Sequence, residues 1–145
     1  MKQTDKEILM KDLCEKLLYK TYVKTAKGIG YVYAINNSQL VELSVANNSE
    51  YWSEVFNIDK IKPYLRPMTS MTEEEVFEID SMGFSYWTTM INNDLRHRGP
   101  MSLLDAIITH HKMVKLIDWL NEHHIDYRGL IEKGLALEAP KDMYK

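Results

Sequence analysis

The sequence predicts an α+β fold, in which an N-terminal helix and a C-terminal helical layer pack on an antiparallel β-meander. Three observations lead to this prediction. Helical apolar spacing ends near Tyr19, four short β-rich runs follow between turn-forming segments, and helical spacing returns after residue 72. With 145 residues the chain has the size of one domain. We therefore predict a single domain over residues 1–145, with a sub-boundary near residues 66–71 between a β-rich and a helix-rich half.

The N-terminal helix is predicted over about residues 5–18. Thr4 and Glu7 have the T-x-x-E spacing of a capping box, which favours a helix start at this point. An apolar stripe at helical period follows and consists of Leu9, Met10, Leu13, Cys14 and Leu17. Because Cys14 belongs to this stripe, we predict a buried and unreactive thiol.

Four strands are predicted from the runs YKTYVKT, GIGYVYAI, QLVELSV and YWSEVF, which are separated by AKG, NNS and ANNSE. Their short, regular spacing predicts a four-strand meander. Apolar residues occupy both faces of the second strand, so we predict a central strand that is covered on both sides. The strand number also suits an SH3-like partial barrel, an alternative that the residues leave open.

The C-terminal half begins with a second capping box, Thr72 and Glu75, and a helix that ends at Gly83. FSYWTTMI, residues 84–91, predicts a further strand. SLLDAII and MVKLIDWLNEHH both have helical spacing, and the polar THHK between them is a place for a bend or a break. This half is therefore predicted to be mainly helical.

A last helix is predicted in the segment HHIDYRGLIEKGLALEAP, with Asp126 as its N-cap. Its apolar face at helical spacing consists of Tyr127, Leu130, Ile131, Gly134 and Leu135. Pro140 prevents a long continuation. The spacing is that of a buried face, so the segment is predicted to serve the scaffold.

Charge and composition restrict the classes of function. The formal net charge of -3 argues against bulk nucleic acid as the main partner, because phosphate binding needs dense positive charge. Residues 1–67 carry 10 basic against 8 acidic side chains, whereas residues 68–145 carry 8 against 13. A single cysteine excludes an intramolecular disulfide framework, and no apolar run reaches the ~18 residues of a membrane span. Without a secretory signal at the N-terminus, these features predict a cytoplasmic protein with no membrane partner.

The residue patterns indicate no catalysis, metal or cofactor. His110 and His111 are adjacent, as are His123 and His124, so the imidazoles of each pair point about 100° apart on a helix and do not converge on one metal ion. We attribute the second pair to a helix end, where positive charge is favoured. The sequence has no G-x-S-x-G motif, and GIG at residues 28–30 lacks the rest of a dinucleotide-binding loop. We therefore predict a protein that is not an enzyme.

Nucleic acid is an alternative partner, favoured by two patterns. The first is a basic strand with aromatic rings, as in single-strand binders. Its residues are Lys20, Lys24, Lys27, Tyr22, Tyr31 and Tyr33. A competing interpretation places these tyrosines inside a small β core. The second pattern is the C-terminal helix pair, which has helix-turn-helix spacing and Arg128 exposed on its second helix.

Three segments carry a resemblance to a known group of proteins. KDLCEKL at residues 11–17, IKPYLRPMTSMTEEE at 61–75 and WLNEHHIDYRGLIEKGLALEAPKDMY at 119–144 resemble small proteins of unknown role from gut Bacteroidales, their phages and other mobile elements. The resemblance covers about a third of the chain. It implies a common scaffold and an accessory role linked to phage or mobile elements, and it implies no reaction or site residue.

The leading prediction is a non-enzymatic protein-binding or adaptor role with an unidentified protein partner. Trp52 and Trp87 are best suited to anchor a partner, whereas Trp119 lies on a helix that is predicted to be packed. Arg96 and Arg98, in the loop RHRGP, form the densest basic cluster and suit an anion or an acidic partner. The candidate binding residues are Trp52, Trp87, Tyr31, Tyr33, Arg96, Arg98 and Arg128.

Overall fold

A computed structural model describes the backbone of residues 1–47, 50–83 and 103–145, and the side chains of residues 1–44, 53–83 and 111–145. The chain divides into two compact units. Unit 1 contains Met1–Met68 and Asn121–Lys145, and unit 2 contains Thr69–Leu120. Unit 1 is thus built from two separate parts of the sequence, with unit 2 inserted between them. The single-domain organisation over residues 1–145, with its sub-boundary near 66–71, stays a prediction.

The α+β class is confirmed by an N-terminal helix, a sheet and a C-terminal helix. Helix α1, Gln3–Glu15, is followed by a 3-10 turn at Leu17–Tyr19. Its N-cap is Lys2, which makes no side-chain cap hydrogen bond, so the predicted capping box of Thr4 and Glu7 is wrong.

The buried side of α1 differs from the predicted apolar stripe. Leu9 and Leu13 are fully buried, as expected, but so is Asp12 between them. Cys14 is exposed, and the prediction of a buried thiol is wrong. The reason is that the helix turns its Asp12 side inward, because that carboxylate has a buried partner in Lys16.

The described part of the chain forms a six-stranded sheet. Its strands are β1 (Tyr22–Thr25), β2 (Gly28–Ile35), β3 (Leu40–Asn47), β4 (Glu50–Asn57), β5 (Lys62–Leu65) and β6 (Leu137–Glu138). Their order is β4-β3-β2-β1-β5-β6, and every neighbouring pair is antiparallel except β5 with β6. The predicted four-strand meander, β1 to β4, is confirmed. Strands β5 and β6 were not predicted, because Pro63 argues against a strand in β5 and β6 has only two residues.

The sheet is open and has its core on one face. Within the described residues its strand order ends at β4 on one side and β6 on the other, so an SH3-like barrel is not confirmed. The buried core cluster consists of Leu9, Leu13, Val23, Val32, Val41, Leu43, Ile58, Ile61, Leu65, Leu130, Leu135 and Ala136. On the other face of β2, Ile29 is 46% and Tyr33 is 43% exposed. Strand β2 is central in the order, but the prediction that it is covered on both sides is wrong.

Unit 2 contains α2, Glu73–Ser81, and most of α3, Leu103–Glu122. The predicted capping box at the start of α2 is confirmed, since the Glu75 N–H donates to Thr72 Oγ1 at 3.2 Å and the Thr72 N–H donates to Glu75 Oε2 at 2.9 Å. Helix α3 is continuous, so the polar segment THHK does not break it. The predicted strand at residues 84–91 lies outside the described residues.

The last predicted helix is wrong, because the segment forms turns. Gly129 and Gly134 adopt left-handed conformations, with φ of +66° and +69°, which interrupt a helix. Asp126 does accept backbone N–H groups as an N-cap would, but it accepts those of Leu130 and Ile131, both at 2.8 Å. These bonds close a compact loop that leads into β6. The helix-turn-helix interpretation therefore has no second helix, and the nucleic-acid role assigned to the C-terminal helix pair is not supported.

Candidate functional site

The face of the sheet opposite the core carries tyrosine and lysine side chains. Residues directly opposite one another on neighbouring strands share a face. The register places Lys24 of β1 opposite Ile29 of β2 and Lys62 of β5. It also places Tyr22 opposite Tyr31. The tyrosine-lysine face, as we name it, consists of Lys20, Tyr22, Lys24, Ile29, Tyr31, Tyr33 and Lys62.

The tyrosines of this face are held in place and remain accessible. Tyr31 is partly buried and Tyr33 is exposed. The rings of Tyr22 and Tyr31 meet edge to face, with centroids 6.4 Å apart and an interplanar angle of 83°. Tyr33 lies at a β-bulge of β2, and its hydroxyl is hydrogen-bonded to Ser53 Oγ on β4. Such rings offer a planar apolar surface to a partner at little cost in side-chain entropy.

The lysines of this face place like charges close together. Lys24 and Lys62 are exposed and directly opposite one another, and in the part of the chain that the structure describes neither makes an ion pair. Like charges in this position destabilise a sheet. The Lys20 ammonium lies 5.7 Å from the ring centroid of Tyr31. Lys27 differs from them, because its Nζ contacts Glu54 Oε1 at 2.6 Å.

A second group of charged residues lies inside unit 1. Asp12 and Lys16 are both fully buried, and Lys16 Nζ donates to Asp12 Oδ1 at 2.5 Å. The same ammonium lies 4.7 Å from the ring centroid of Tyr127, and Arg128 Nε lies 3.6 Å from Asp12 Oδ1. We name Asp12, Glu15, Lys16, Tyr127 and Arg128 the inner polar cluster. The cluster joins α1 to the C-terminal segment.

Glu15 forms the outer part of the inner polar cluster. Its Oε2 accepts a hydrogen bond from Tyr127 Oη at 2.5 Å and another from Arg128 Nη2 at 2.5 Å. Tyr127 Oη also lies 3.1 Å from Asn121 Oδ1. Arg128 therefore contacts two carboxylates of α1, those of Glu15 and Asp12.

The pKa values of this cluster reflect its burial. Burial raises the pKa of Asp12 and lowers that of Lys16, while the attraction between the two charges acts in the opposite sense. Burial alone would raise the pKa of Glu15, but the hydrogen bonds from Tyr127 and Arg128 outweigh it and hold this pKa below its ordinary value. The ionisable groups of the cluster are thus engaged with one another, and what they can do is hold two segments of unit 1 together.

Tyr144 connects the C-terminal segment to the sheet. Its hydroxyl accepts a hydrogen bond from the Tyr22 N–H at 3.0 Å and donates one to the Tyr64 carbonyl at 2.7 Å. It therefore bridges β1 and β5 where the next pair of their ladder would form. Its ring stacks on His124, with centroids 3.6 Å apart.

His124 is buried beneath this ring. Its Nδ1 lies 3.3 Å from Thr21 Oγ1. Burial, and next the charge of Lys16, lower the pKa of His124 to about 3. The imidazole is therefore neutral at neutral pH, and the attribution of His124 to a favourable positive charge at a helix end is wrong.

The structure brings together most of the predicted basic strand. Tyr31, Tyr33, Lys20 and Lys24 all belong to the tyrosine-lysine face, whereas Lys27 is engaged by Glu54. The competing interpretation of the tyrosines as a β core is wrong, because the described core cluster is aliphatic. The reason is the alternation of β2, which directs Val32 inward and its two tyrosine neighbours outward.

The remaining predicted site residues do not join this face. Arg128 belongs to the inner polar cluster and is not exposed on a helix. Trp119 is buried in α3, as expected. The side chain of Trp52 lies outside the described residues, although its backbone belongs to β4. Trp87, Arg96 and Arg98 also lie outside the described residues.

Two features were missed at the level of the sequence. Asp12 and Lys16 have the i, i+4 spacing of an ion pair, beside the buried positions Leu9 and Leu13, and this spacing was a usable signal. Charged residues on a helix are usually solvated, so this spacing alone does not predict burial. Tyr144 gave no local signal, since its partners are distant in the sequence.

An open groove lies beside Cys14. Its volume is about 350 Å³, and it is lined by Glu7, Met10, Cys14, Ile35, Asn36, Asn37 and Gln39. Partial burial and the charge of Glu15 raise the pKa of the Cys14 thiol. The thiolate is therefore disfavoured at neutral pH, which opposes a nucleophilic role.

No protein-family model, curated protein or solved structure matches the chain. Among the described residues, no three His, Cys, Asp or Glu side chains are grouped so that they could hold a metal ion. The helices within the described ranges are too short or too polar to cross a bilayer.

Proposed function

We propose that this protein is a non-enzymatic binding protein, and that its tyrosine-lysine face recognises a negatively charged partner. The observation that carries the proposal is the position of Lys24 directly opposite Lys62, on the same face as the neighbouring rings of Tyr22 and Tyr31. Two like charges in this position cost free energy in the unbound sheet. An anionic partner offsets that cost, and the adjacent rings supply contact area.

The inner polar cluster supports a binding protein over an enzyme. A general acid or base needs access to a substrate and a pKa near the working pH. Asp12 and Lys16 are fully buried and paired with each other, and the carboxylate of Glu15 is engaged by Tyr127 and Arg128. These groups stabilise the contact between α1 and the C-terminal segment.

The cellular setting of the proposal comes from the sequence. The resemblance of three segments to proteins of gut Bacteroidales, their phages and mobile elements favours an adaptor role in the cytoplasm of such a host. An acidic protein surface is one partner that suits this role. The tyrosine-lysine face adds a defined surface and a sign of charge for the partner.

The proposal is tested by comparing partners of matched variants. The wild type, a face variant with Lys24→Glu and Lys62→Glu, and a control with Lys11→Glu and Lys141→Glu would be used for affinity purification from a gut Bacteroidales lysate. All four lysines are exposed. Each variant replaces two lysines with glutamate, so both make the same change in net charge. We expect a partner that is retained by the wild type and the control and lost by the face variant. Circular dichroism verifies that all three are folded.

Two outcomes contradict the proposal. One is that the face variant and the control retain the same partners as the wild type. The other is that the wild type retains no partner that the face variant lacks. A parallel purification after nuclease treatment assigns the partner, because a protein partner survives the treatment and a nucleic acid does not.

A further inference from the structure

We infer that the negatively charged partner is a single strand of nucleic acid, with its bases on Tyr31 and Tyr33 and its phosphates on Lys24, Lys62 and Lys20. The inference rests on the proposed function and names the partner of the same face. It follows from the position of tyrosine rings on β2 next to lysines on β1 and β5.

The rings lie along one strand, and the cations lie across the strands next to it. Tyr31 and Tyr33 follow one another on the outer side of β2, about 7 Å apart by the rise of a strand. Lys24 and Lys62 lie on the two adjoining strands, which are spaced by about 4.8 Å. A single strand of nucleic acid presents the matching pattern, because planar bases and charged phosphates alternate along it. An acidic polypeptide supplies the charges but no regular series of planar groups.

The charges of the sheet also determine which side of the nucleic-acid strand faces which β-strands. On this face Lys24 and Lys62 lie on β1 and β5, whereas the acidic side chain of Glu42 lies on β3, opposite Ala34 of β2. Phosphates are therefore attracted to β1 and β5 and repelled from β3 on the same face. The bases are left to lie toward β2, where the accessible tyrosines are. A duplex does not fit this arrangement, since its bases are stacked on one another and not free to stack on tyrosine.

The number of cations sets the expected strength. Unit 1 carries 14 Lys and Arg against 13 Asp and Glu, so its net charge gives little long-range attraction. The three unpaired lysines are a local site for about three phosphates. Each phosphate contact to a single strand contributes about -0.7 to the slope of log affinity against log salt, so a slope of about -2 is expected. The acidic overall charge of the protein is compatible with such a local, salt-sensitive site.

The test uses a fluorescein-labelled oligothymidylate of about 15 nucleotides, within the usual site sizes of single-strand binders, in about 50 mM NaCl. Anisotropy would be measured for the wild type, for a variant with Lys24→Gln and Lys62→Gln, and for a control with Lys11→Gln and Lys141→Gln. We expect the face variant to lose at least tenfold in affinity and about 1.4 in salt slope, with the control unchanged. Tyr33→Ala should lose about fivefold or more with an unchanged salt slope, because it removes stacking and no charge.

A second probe, labelled poly-glutamate, separates this inference from the proposed function. If poly-glutamate binds as tightly as oligothymidylate and Tyr33→Ala binds both normally, the partner is an acidic polypeptide and the nucleic-acid inference is wrong. If oligothymidylate does not bind the wild type, or binds the control as weakly as the face variant, the inference is also wrong. The affinity purification from lysate then remains the test of the proposed function.

Discussion

Lys16 and Lys62 lie in the same unit but have opposite environments. Lys16 is fully buried, and its ammonium is bonded to Asp12 and placed over the ring of Tyr127. Lys62 is exposed and faces a second ammonium, that of Lys24. The first lysine has a carboxylate and an aromatic ring as partners, and the second has a neighbour that repels it.

This difference separates residues that stabilise the fold from residues that remain available to a partner. A buried pair tolerates no loss of either member, because the other is left as an uncompensated charge. A repelling surface pair has the reverse property, since removing one charge removes the repulsion and stabilises the sheet.

Substitution Lys16→Met should cost about 3–5 kcal/mol of the free energy of unfolding, because it leaves the carboxylate of Asp12 buried without its main partner. Urea denaturation at neutral pH measures the loss. The double variant with Asp12→Leu and Lys16→Met removes both charges and should recover most of it. Equal stability of wild type and single variant would show that the pair is not buried in solution.

Tyr144→Phe should cost about 2–3 kcal/mol, because it leaves the N–H of Tyr22 and the carbonyl of Tyr64 without their hydroxyl partner. Tyr33→Phe is the matched control, since it removes a hydroxyl whose partner among the described residues is Ser53 on the exposed face. The control should lose less than about 1 kcal/mol in the same urea experiment. A similar loss in both variants would contradict the bridging role of Tyr144.

The stability of the protein should fall as the pH decreases from 6.5 to 5. The pKa of His124 is about 3 in the folded protein, against 6.5 for an ordinary histidine. Between these values the unfolded chain binds a proton that the folded chain does not, so acid favours unfolding. The loss should be about 1.6 kcal/mol over this range, since each pH unit contributes at most about 1.4 kcal/mol and the unfolded histidine is only half protonated at pH 6.5.

Unfolding experiments at several pH values, with matched histidine variants, isolate this contribution. His124→Asn should show a flatter dependence on pH, and asparagine tolerates the left-handed backbone at this residue, where φ is +55°. His111→Asn, at an exposed position of α3, should follow the wild type. A wild-type profile as flat as that of His124→Asn would mean that this imidazole is not buried.

The smallest effect has the opposite sign. Lys62→Glu should increase the free energy of unfolding by about 0.2–1 kcal/mol, because it converts a repelling cross-strand pair into an attracting one. Thermal and urea denaturation measure the gain, with Lys11→Glu on the exposed side of α1 as the control. The same variant should lose affinity for an anionic partner. An unchanged stability would indicate that the repulsion between Lys24 and Lys62 is already screened, and a loss would contradict the prediction.

The sequence predicted the elements whose signals are local. The four strands of the meander have turn segments between them, and the capping box of Thr72 and Glu75 marks the start of α2. In both cases the residues that determine the structure are a few positions apart. Lys20, Lys24, Tyr31 and Tyr33 come from two consecutive strands, so this part of the tyrosine-lysine face was also predicted, whereas Lys62 on β5 was not.

The features that were missed depend on distant residues or on backbone geometry. Apolar spacing favoured a last helix, but Gly129 and Gly134 adopt left-handed conformations that the spacing does not reveal. Strand β6 exists because it pairs with β5, from which unit 2 separates it in the sequence. The burial of Asp12 likewise depends on Arg128 and on the C-terminal segment.

The division of unit 1 into two stretches of sequence has a consequence for biosynthesis. The Arg66 N–H donates to the His124 carbonyl at 2.9 Å, and the Asp126 N–H donates to the Arg66 carbonyl at 2.8 Å. A ribosome delivers the chain from its N-terminus, so β5 emerges long before the residues that cover its outer edge. During that interval the edge of β5 has unpaired backbone N–H and C=O groups, to which other chains can bind. Slow translation of residues 69–120 should therefore increase aggregation, and fragments that stop before Asn121 should not yield a stable sheet.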